Sequence, residues 1–323
     1  MIDGGKDKLG PIHWRIWLGW GLAGGVAIWA IARTFGLEGE YPFIQLMAYT
    51  PYVLVLSVLA CVAIGFLRRW GALTVALVGV AAIAIAVLPR EFGGPEDAPP
   101  GTEIRMLSLN TLRGNADVTR LLEIIEERDI NVLSLQELPV NGVKRLKRRG
   151  LQEILPYRVL GIEDEGGGGV YTSFPANGMR PTLTKLRQPR AKIKPPRAID
   201  FEVMSVHPRA PTGPKLTPYW SREISRLPKA DEPGPPRVLA GDFNATLDHV
   251  KLRDLMDTGY RDASEVMGDG LLTTWPSKLK WPLPVTIDHF LVEEPIKIRD
   301  YDVMQVNNTD HRAIYTELVV PEA

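Results

Sequence analysis

The sequence predicts an α/β domain carried behind a group of membrane-spanning helices, and three observations predict it. Three long apolar runs are crowded ahead of residue 90. From residue 103 onward, short apolar strand-like runs alternate with amphipathic stretches. Between these regions, "REFGGPEDAPPGTE" has no apolar periodicity and is rich in Gly and Pro, the composition of a linker. The expected organisation is a membrane anchor over 1–89, a linker over 90–102 and an α/β domain over 103–323.

The apolar runs extend from Trp14 to Phe35, Ile44 to Leu67 and Ala72 to Leu88. Each is almost free of charge for about 17 to 24 residues, the length a helix needs to cross hydrocarbon. Trp14, Trp17, Trp20, Trp29 and Trp70 lie in or beside them, as interface anchors do. Buried core helices are the alternative reading, and a cleaved signal peptide fits poorly because two further runs follow the first. Lys6, Lys8 and Arg15 precede the first run, and Arg68 and Arg69 fill the turn between the second and third, so both belong on the cytoplasmic side. The other two flanks set Arg33 against Glu38 and Glu40, and Arg90 against Glu91, Glu96 and Asp97. Residues beyond 90 are therefore expected outside the cytoplasm.

In the α/β part, "EIRMLSLNT" and "INVLSLQE" read as buried strands around the helix "DVTRLLEIIEER", whose apolar face is Leu121, Leu122, Ile124 and Ile125. "AIDFEVMSVHP", "PRVLAGDFN", a helix near "VKLRDLMDTG", "TIDHFLVE" and "HRAIYTELVV" follow, with no internal repeat. The 38 basic and 38 acidic side chains give no net field to recruit nucleic acid. Cys61, the single cysteine, excludes intramolecular disulfides and a cysteine zinc site, and reads as a packed hydrophobe.

The polar residues fall where the strands end. Asn110, then Gln136 with Glu137, His207, Asp242 with Asn244, Asp288 with His289, and Asp310 with His311 each close or interrupt an apolar strand. Any one of them reads equally well as a cap or turn former. Six such strand ends are the layout of an α/β active site.

In this order, "SLNTLRG", "LQE", "SVHP", "AGDFNAT", "IDHF" and "TDHR" resemble the endonuclease/exonuclease/phosphatase superfamily, over about residues 103–321. The resemblance implies a DNase I-like two-sheet α/β sandwich, here preceded by three transmembrane helices, with metal-dependent phosphoester hydrolysis at one edge. It implies that Glu137, with Asn110 and Asp310, holds Mg²⁺ or Mn²⁺ in an oxygen-rich site. His311 would be the general base, oriented by Asp288. Asp242 would align the attacking water or assist the leaving group, and its role and that of His311 are open to exchange. Asn244 would donate to a phosphoryl oxygen, and His207 would stabilise negative charge. Many nucleases of the superfamily carry a second acid where this chain has Leu112, which favours a single-metal site.

Three helices ahead of such a domain further resemble a membrane-anchored actinobacterial branch that includes VanJ-type teicoplanin-resistance proteins, for which undecaprenyl pyrophosphate has been proposed as substrate. That implies a multi-pass cell-membrane enzyme acting outside the cytoplasm on a lipid-linked phosphate or pyrophosphate, with the bilayer as its partner. An exported endonuclease or phosphodiesterase is the alternative, and a non-catalytic binding module is the third reading. The nuclease reading leaves the spans unexplained, and the chain lacks the net positive charge of a non-specific DNA binder.

Four other stretches carry less. The four glycines at 166–169 lack the "GK[ST]" of a phosphate loop and read as a hairpin turn, and "KRLKRR" at 144–149 reads as a solvated helix face. The basic stretch at 185–197, and the loop at 274–284 with Trp275 and Trp281 beside Lys278 and Lys280, read either as surface loops or as contacts to anionic headgroups or a pyrophosphate.

Overall fold

The computed structural model describes residues 11–161, 166–181, 186–278 and 282–323. Lys6 and Lys8 of the charged flank, Lys185 of the basic stretch, and Lys280 and Trp281 of the tryptophan loop lie outside the described residues. The chain divides into two compact units. One is the part up to Gly39 together with Tyr49–Leu88, and the other is Glu40–Ala48 together with Pro89–Ala323.

The first unit holds α1 (Pro11–Phe35), α3 (Thr50–Phe66) and α4 (Trp70–Val87), while α2 (Phe43–Met47) belongs to the second. Ala23, Cys61, Ile64, Ala72 and Ala76 form its small-residue core. Large apolar side chains such as Leu56, Leu59, Val78 and Ile85 are exposed, which water would oppose and hydrocarbon would not. Two helices, Trp14–Phe35 and Trp70–Glu91, are long and apolar enough to cross a membrane, and Thr50–Phe66 is shorter. The expectation of three full spans is corrected accordingly. The run from Ile44 to Leu67 is not one helix: α2 ends at Met47, and a new helix starts at Thr50 with Pro51 in its first turn, where the missing N–H leaves no hydrogen bond unmade.

The second unit contains two six-stranded sheets. The first runs in the order β11 (Lys297–Met304), β12 (Ala313–Pro321), β1 (Gly101–Asn110), β2 (Val132–Gln136), β4 (Gly168–Thr172), β3 (Tyr157–Gly161). The second runs β5 (Ala176–Gly178), β6 (Arg190–Ile193), β7 (Phe201–Val206), β8 (Arg237–Asp242), β10 (Asp288–Glu293), β9 (Tyr260–Asp262). Among the described residues, only β1 with β2 and β7 with β8 pair in parallel.

Because strand side chains alternate between faces, each inner strand supplies two cores. Ile104 and Met106 of β1 meet Val203, Val238, Ala240 and Phe290 between the sheets. Leu107 and Leu109 point the other way, onto α5 (Val118–Glu127) and α6 (Val140–Arg148). Asp117 caps α5 by accepting from the Thr119 and Arg120 N–H groups. On the far face of the second sheet, α8 (Thr217–Ile224) and α9 (Val250–Met256) pack through Trp220, Ile224, Leu252 and Leu255. Ile44 of α2 is buried in that same cluster, its carbonyl accepting from His249 Nε2 at 2.7 Å.

The stretch 90–102, expected to be a linker, is packed against the domain. Arg90 is buried and bonded to Asp248, the Gly94 N–H donates to the Val266 carbonyl, and the Glu96 N–H donates to the Ile298 carbonyl while its carboxylate pairs with Arg261. A Cβ on Gly93 would lie 2.1 Å from the Val266 carbonyl oxygen, so glycine here serves close approach rather than flexibility. The basic stretch is likewise engaged. Arg190 in β6 pairs with Glu202, and Lys192 with Asp200.

Candidate active site

The alternation that builds the inner core also builds the site. Reading inward-facing positions along β1 gives Ile104, Met106, Ser108 and Asn110. β2 gives Val132, Ser134 and Gln136, and β8 gives Val238, Ala240 and Asp242. Phe201, Val203 and Ser205 of β7 lead to His207, and antiparallel β10 begins with Asp288, paired in register with Asp242. Each row runs from apolar to polar toward the same edge of the sandwich. Gln136 joins the two sheets there, its Nε2 donating to Ser134 Oγ at 2.9 Å and to Ser205 Oγ at 3.1 Å. Gly241, at φ +154, is required by this packing: a Cβ would sit 2.2 Å from the Val206 carbonyl oxygen.

At that edge, Asn110 Nδ2 donates to Asp242 Oδ2 at 3.0 Å and to Glu137 Oε1 at 3.3 Å. His207 Nε2 lies 3.6 Å from Asp242 Oδ2 and 3.8 Å from Glu137 Oε1. His311 Nδ1 is 2.9 Å from Asp288 Oδ2, and its Nε2 is 3.6 Å from Asp242 Oδ2. Thr309 Oγ1 donates to the Asn110 carbonyl at 2.8 Å, tying the "TDHR" turn to the end of β1. The structure thus brings Asn110, Glu137, His207, Asp242, Asp288 and His311 together, with Asp310 on the same turn as His311.

Two of the expected site residues also hold the site's own frame. Asn110 turns its amide nitrogen, not its oxygen, toward Glu137 and Asp242, because the oxygen accepts from the Leu112 N–H at 3.0 Å. As placed, its amide nitrogen bridges the two acids. Asn244 uses its Nδ2 to hold the Pro208 carbonyl at 3.0 Å, and its own N–H donates to Asp242 Oδ1 at 2.8 Å. It fixes the loop that carries His207.

The electrostatics follow from burial. Burial alone would lower the His311 pKa, but the Asp288 and Asp242 carboxylates outweigh it and push the value up to about 10. Burial raises the Asp242 pKa, with the His311 charge opposing. Deeper in, His289 donates to Asp262 and lies 2.9 Å from the Ala245 carbonyl, which braces the "GDFNA" loop from behind.

Glu137 and Asp310 could each offer a donor to a divalent cation. Among the described residues no Lys or Arg pairs with Glu137, whose Oε2 accepts only the Arg113 N–H. Asp310 Oδ1 is buried without a hydrogen-bond partner, while Oδ2 accepts from Trp275 Nε1 at 2.9 Å. Carboxylates without a countercharge fit a hard cation. Asp242, Asp288 and His311 also present ligand atoms within 4.8 Å of one another. In this group His311 Nδ1 is already bonded to Asp288, which leaves Nε2, 3.6 Å from Asp242 Oδ2, as its free ring nitrogen. Trp275 is the participant that sequence reasoning misplaced. Its indole N–H faces Asp310 and its ring lies 6.5 Å from that of His311.

Beside Glu137 and His207 opens a cavity of about 220 Å³, walled by Arg113 and Arg209 on its polar side and by Leu186, Ala210 and Leu216 on its apolar side.

A two-sheet sandwich with acids, amides and histidines converging at one edge defines a hydrolase of phosphoester bonds. The chain belongs to the endonuclease/exonuclease/phosphatase family, whose sequence profile matches residues 107–311. Members of this family generally depend on a divalent metal. Among solved structures, an endonuclease/exonuclease/phosphatase from Beutenbergia cavernae is similar at a TM-score of 0.56 and 15% identity, covering 68% of this chain and 72% of its own. Humanized D. rerio TDP2 is similar at 0.52 and 17% identity, covering 67% and 98%. The 3′ phosphatase NExo from Neisseria, bound to a product DNA hairpin, is similar at 0.52 and 16% identity, covering 66% and 98%. At these identities the likeness establishes the fold. No curated protein matches the chain.

Proposed function

We propose that the protein is a membrane-anchored phosphoesterase, dependent on Mg²⁺ or Mn²⁺, that hydrolyses a lipid-linked phosphate or pyrophosphate, undecaprenyl pyrophosphate among them, at the extracytoplasmic face. The observation that carries this reading is that the segment connecting the first apolar helix to the next, residues 40–48, is folded into the unit that holds the site. A hydrolase of freely diffusing substrate has no need of such a connection.

In this reading Glu137 and Asp310 would hold the cation, which supplies positive charge against the phosphoryl oxygens and acidifies water. Asn110 keeps Glu137 and Asp242 in place. His311, held through Nδ1 by Asp288, presents Nε2 toward Asp242, and the pair moves the proton of the attacking water. With its pKa pushed up to about 10, His311 is already protonated at neutral pH, so it would take the water proton only where a bound cation lowers that value, and otherwise Asp242 would accept the proton and His311 would donate to the leaving oxygen. His207 faces the same carboxylates and stabilises charge that builds on the phosphoryl group.

The second reading, an exported nuclease or phosphodiesterase, draws support from the likeness to NExo bound to a DNA hairpin. Phosphate release from a prenyl pyrophosphate in vesicles, measured beside plasmid nicking, separates the two. Nicking without phosphate release would sink the lipid reading.

A further inference from the structure

The strip "HPRAPTGP", residues 207–214, runs from the active-site His207 toward the start of α8 and has no strand partner. Three of its residues, Pro208, Pro211 and Pro214, have no N–H to donate, so the strip must be held largely through carbonyls that accept from elsewhere. Asn244 Nδ2 takes the Pro208 carbonyl at 3.0 Å. Arg209 is fixed by Glu223, which accepts both its N–H, at 2.8 Å, and its guanidinium. The Pro211 carbonyl accepts from Gln45 Nε2 at 3.0 Å.

Gln45 is itself well placed to act as a fixed post. Its neighbour Ile44 is 3% exposed in the cluster with Trp220, Phe243 and Leu247, and the Ile44 carbonyl accepts from His249. His249 Nδ1 accepts from the Thr246 N–H at 2.8 Å, which leaves Nε2 as the protonated nitrogen. Residues 44 and 45 are therefore anchored by the turn that directly follows Asp242 and Asn244. The strip they hold supplies Arg209, Ala210, Thr212 and, just beyond it, Leu216 to the cavity beside Glu137 and His207.

We propose that Gln45 is a positioning residue for substrate. By holding the Pro211 carbonyl it sets the cavity wall formed by Arg209, Ala210 and Leu216, and that wall takes an anionic group carrying an apolar chain. The ligand chemistry rests on the function proposed above, whereas the role of Gln45 in shaping the cavity does not. Arg209, paired with Glu223 and stacked 4.2 Å over Tyr219, gives the wall its rigid polar side, Arg113 adds the charge across the cavity, and Leu216, partly exposed, provides the apolar side.

The test uses the full-length protein in detergent micelles, with farnesyl phosphate as the amphiphilic probe and p-nitrophenyl phosphate as the soluble one. Gln45→Ala and Gln45→Glu both remove the donor to Pro211. Each should raise KM for farnesyl phosphate about five- to tenfold, the effect of one lost hydrogen bond, with kcat within twofold of the parent. Gln45→Lys keeps a donor and should bring KM back toward the parent value. Unchanged KM in both donor-free variants overturns the proposal. So does a fall in kcat at constant KM, which would make Gln45 a support of the catalytic groups. If the parent protein cleaves p-nitrophenyl phosphate but not farnesyl phosphate, the lipid reading fails. Gln45 is then judged by inhibition of p-nitrophenyl phosphate cleavage by inorganic phosphate. A several-fold weaker inhibition in Gln45→Ala and Gln45→Glu, restored in Gln45→Lys, supports its role, and equal inhibition in all four proteins overturns it.

Discussion

Arg90 and Asp248, separated by 158 residues in sequence, form a two-pronged buried ion pair, with Nη1 and Nη2 at 2.9 and 2.7 Å from the two carboxylate oxygens. The side chains are 3% and 0% exposed. Such a pair adds little over a well-packed apolar pair, yet losing one member strands the other charge.

Arg90→Ala should therefore destabilise the second unit by about 3 to 5 kcal/mol, and the double change Arg90→Met with Asp248→Leu by much less. A chain cut near Pro100 loses Arg90 and the 40–48 segment together, so it should be less stable than one that keeps both. Urea unfolding followed by circular dichroism checks these comparisons, and a double variant no better than Arg90→Ala would refute the account.

The pair His289 and Asp262 sets a pH window. Burial would lower the His289 pKa, but Asp262 raises it above its ordinary 6.5. Burial would raise the Asp262 pKa, but His289 and the Ser264 and Glu265 donors bring it below its ordinary 3.8. The histidine's contribution is full below 6.5 and fades as pH rises through the raised folded value. The carboxylate's is full above 3.8 and fades as pH falls through the lowered one. Stability from this pair is thus greatest between those limits. His289→Asn should flatten the decline in stability above pH 6.5, which unfolding midpoints across pH 6 to 9 would reveal. An unchanged slope would mean that the pair does not titrate with folding.

Trp275 offers a cleaner probe of the metal site, because its contact with Asp310 is a single N–H donor. Trp275→Phe keeps the ring and deletes the donor. Removing the hydrogen bond that orients a ligand weakens metal binding by about 10- to 100-fold. Activity titrated with Mg²⁺ should show the midpoint moving up by that factor while the plateau largely recovers, and a lowered plateau with an unmoved midpoint would argue against Asp310 as a ligand.

The site was legible in the sequence because its residues sit at strand ends, where period two and an apolar run fix which way each side chain points. Asn110, Asp242 and Asp288 follow their strands by one rule, and they converge as that rule requires. The illegible parts are those that depend on contacts distant in the chain. Ile44 opens an apolar run, and composition cannot tell a side chain facing lipid from one buried against Trp220, so the second run read as one span. Arg90 looked like part of a charged linker because its partner lies beyond the whole first sheet's early strands, at Asp248. Trp275 read as part of a surface loop or of a headgroup or pyrophosphate contact, since nothing local to it shows that Asp310 accepts its N–H.

Glu137 gives the most direct test of the chemistry. Its backbone holds φ +51, an uncommon conformation for a residue with a side chain, and Thr111 Oγ1 donates to its carbonyl at 2.8 Å. The loop is thus held so that the carboxylate, with Oε2 on the Arg113 N–H and Oε1 near Asn110 and His207, faces the site without a lysine or arginine among the described residues to neutralise it. Glu137→Gln retains size but removes the charge and replaces one of the two accepting oxygens with a donor. If this carboxylate holds the cation, hydrolysis should fall by at least about a hundredfold, the scale of losing one preorganised electrostatic group, with the unfolding midpoint little changed because the side chain is only partly buried. Calorimetric titration with Mg²⁺ or Mn²⁺ should lose its binding heat in the same variant. Retained metal binding together with lost activity would place the cation at Asp242, Asp288 and His311 instead, and would reassign Glu137 to the proton-transfer step.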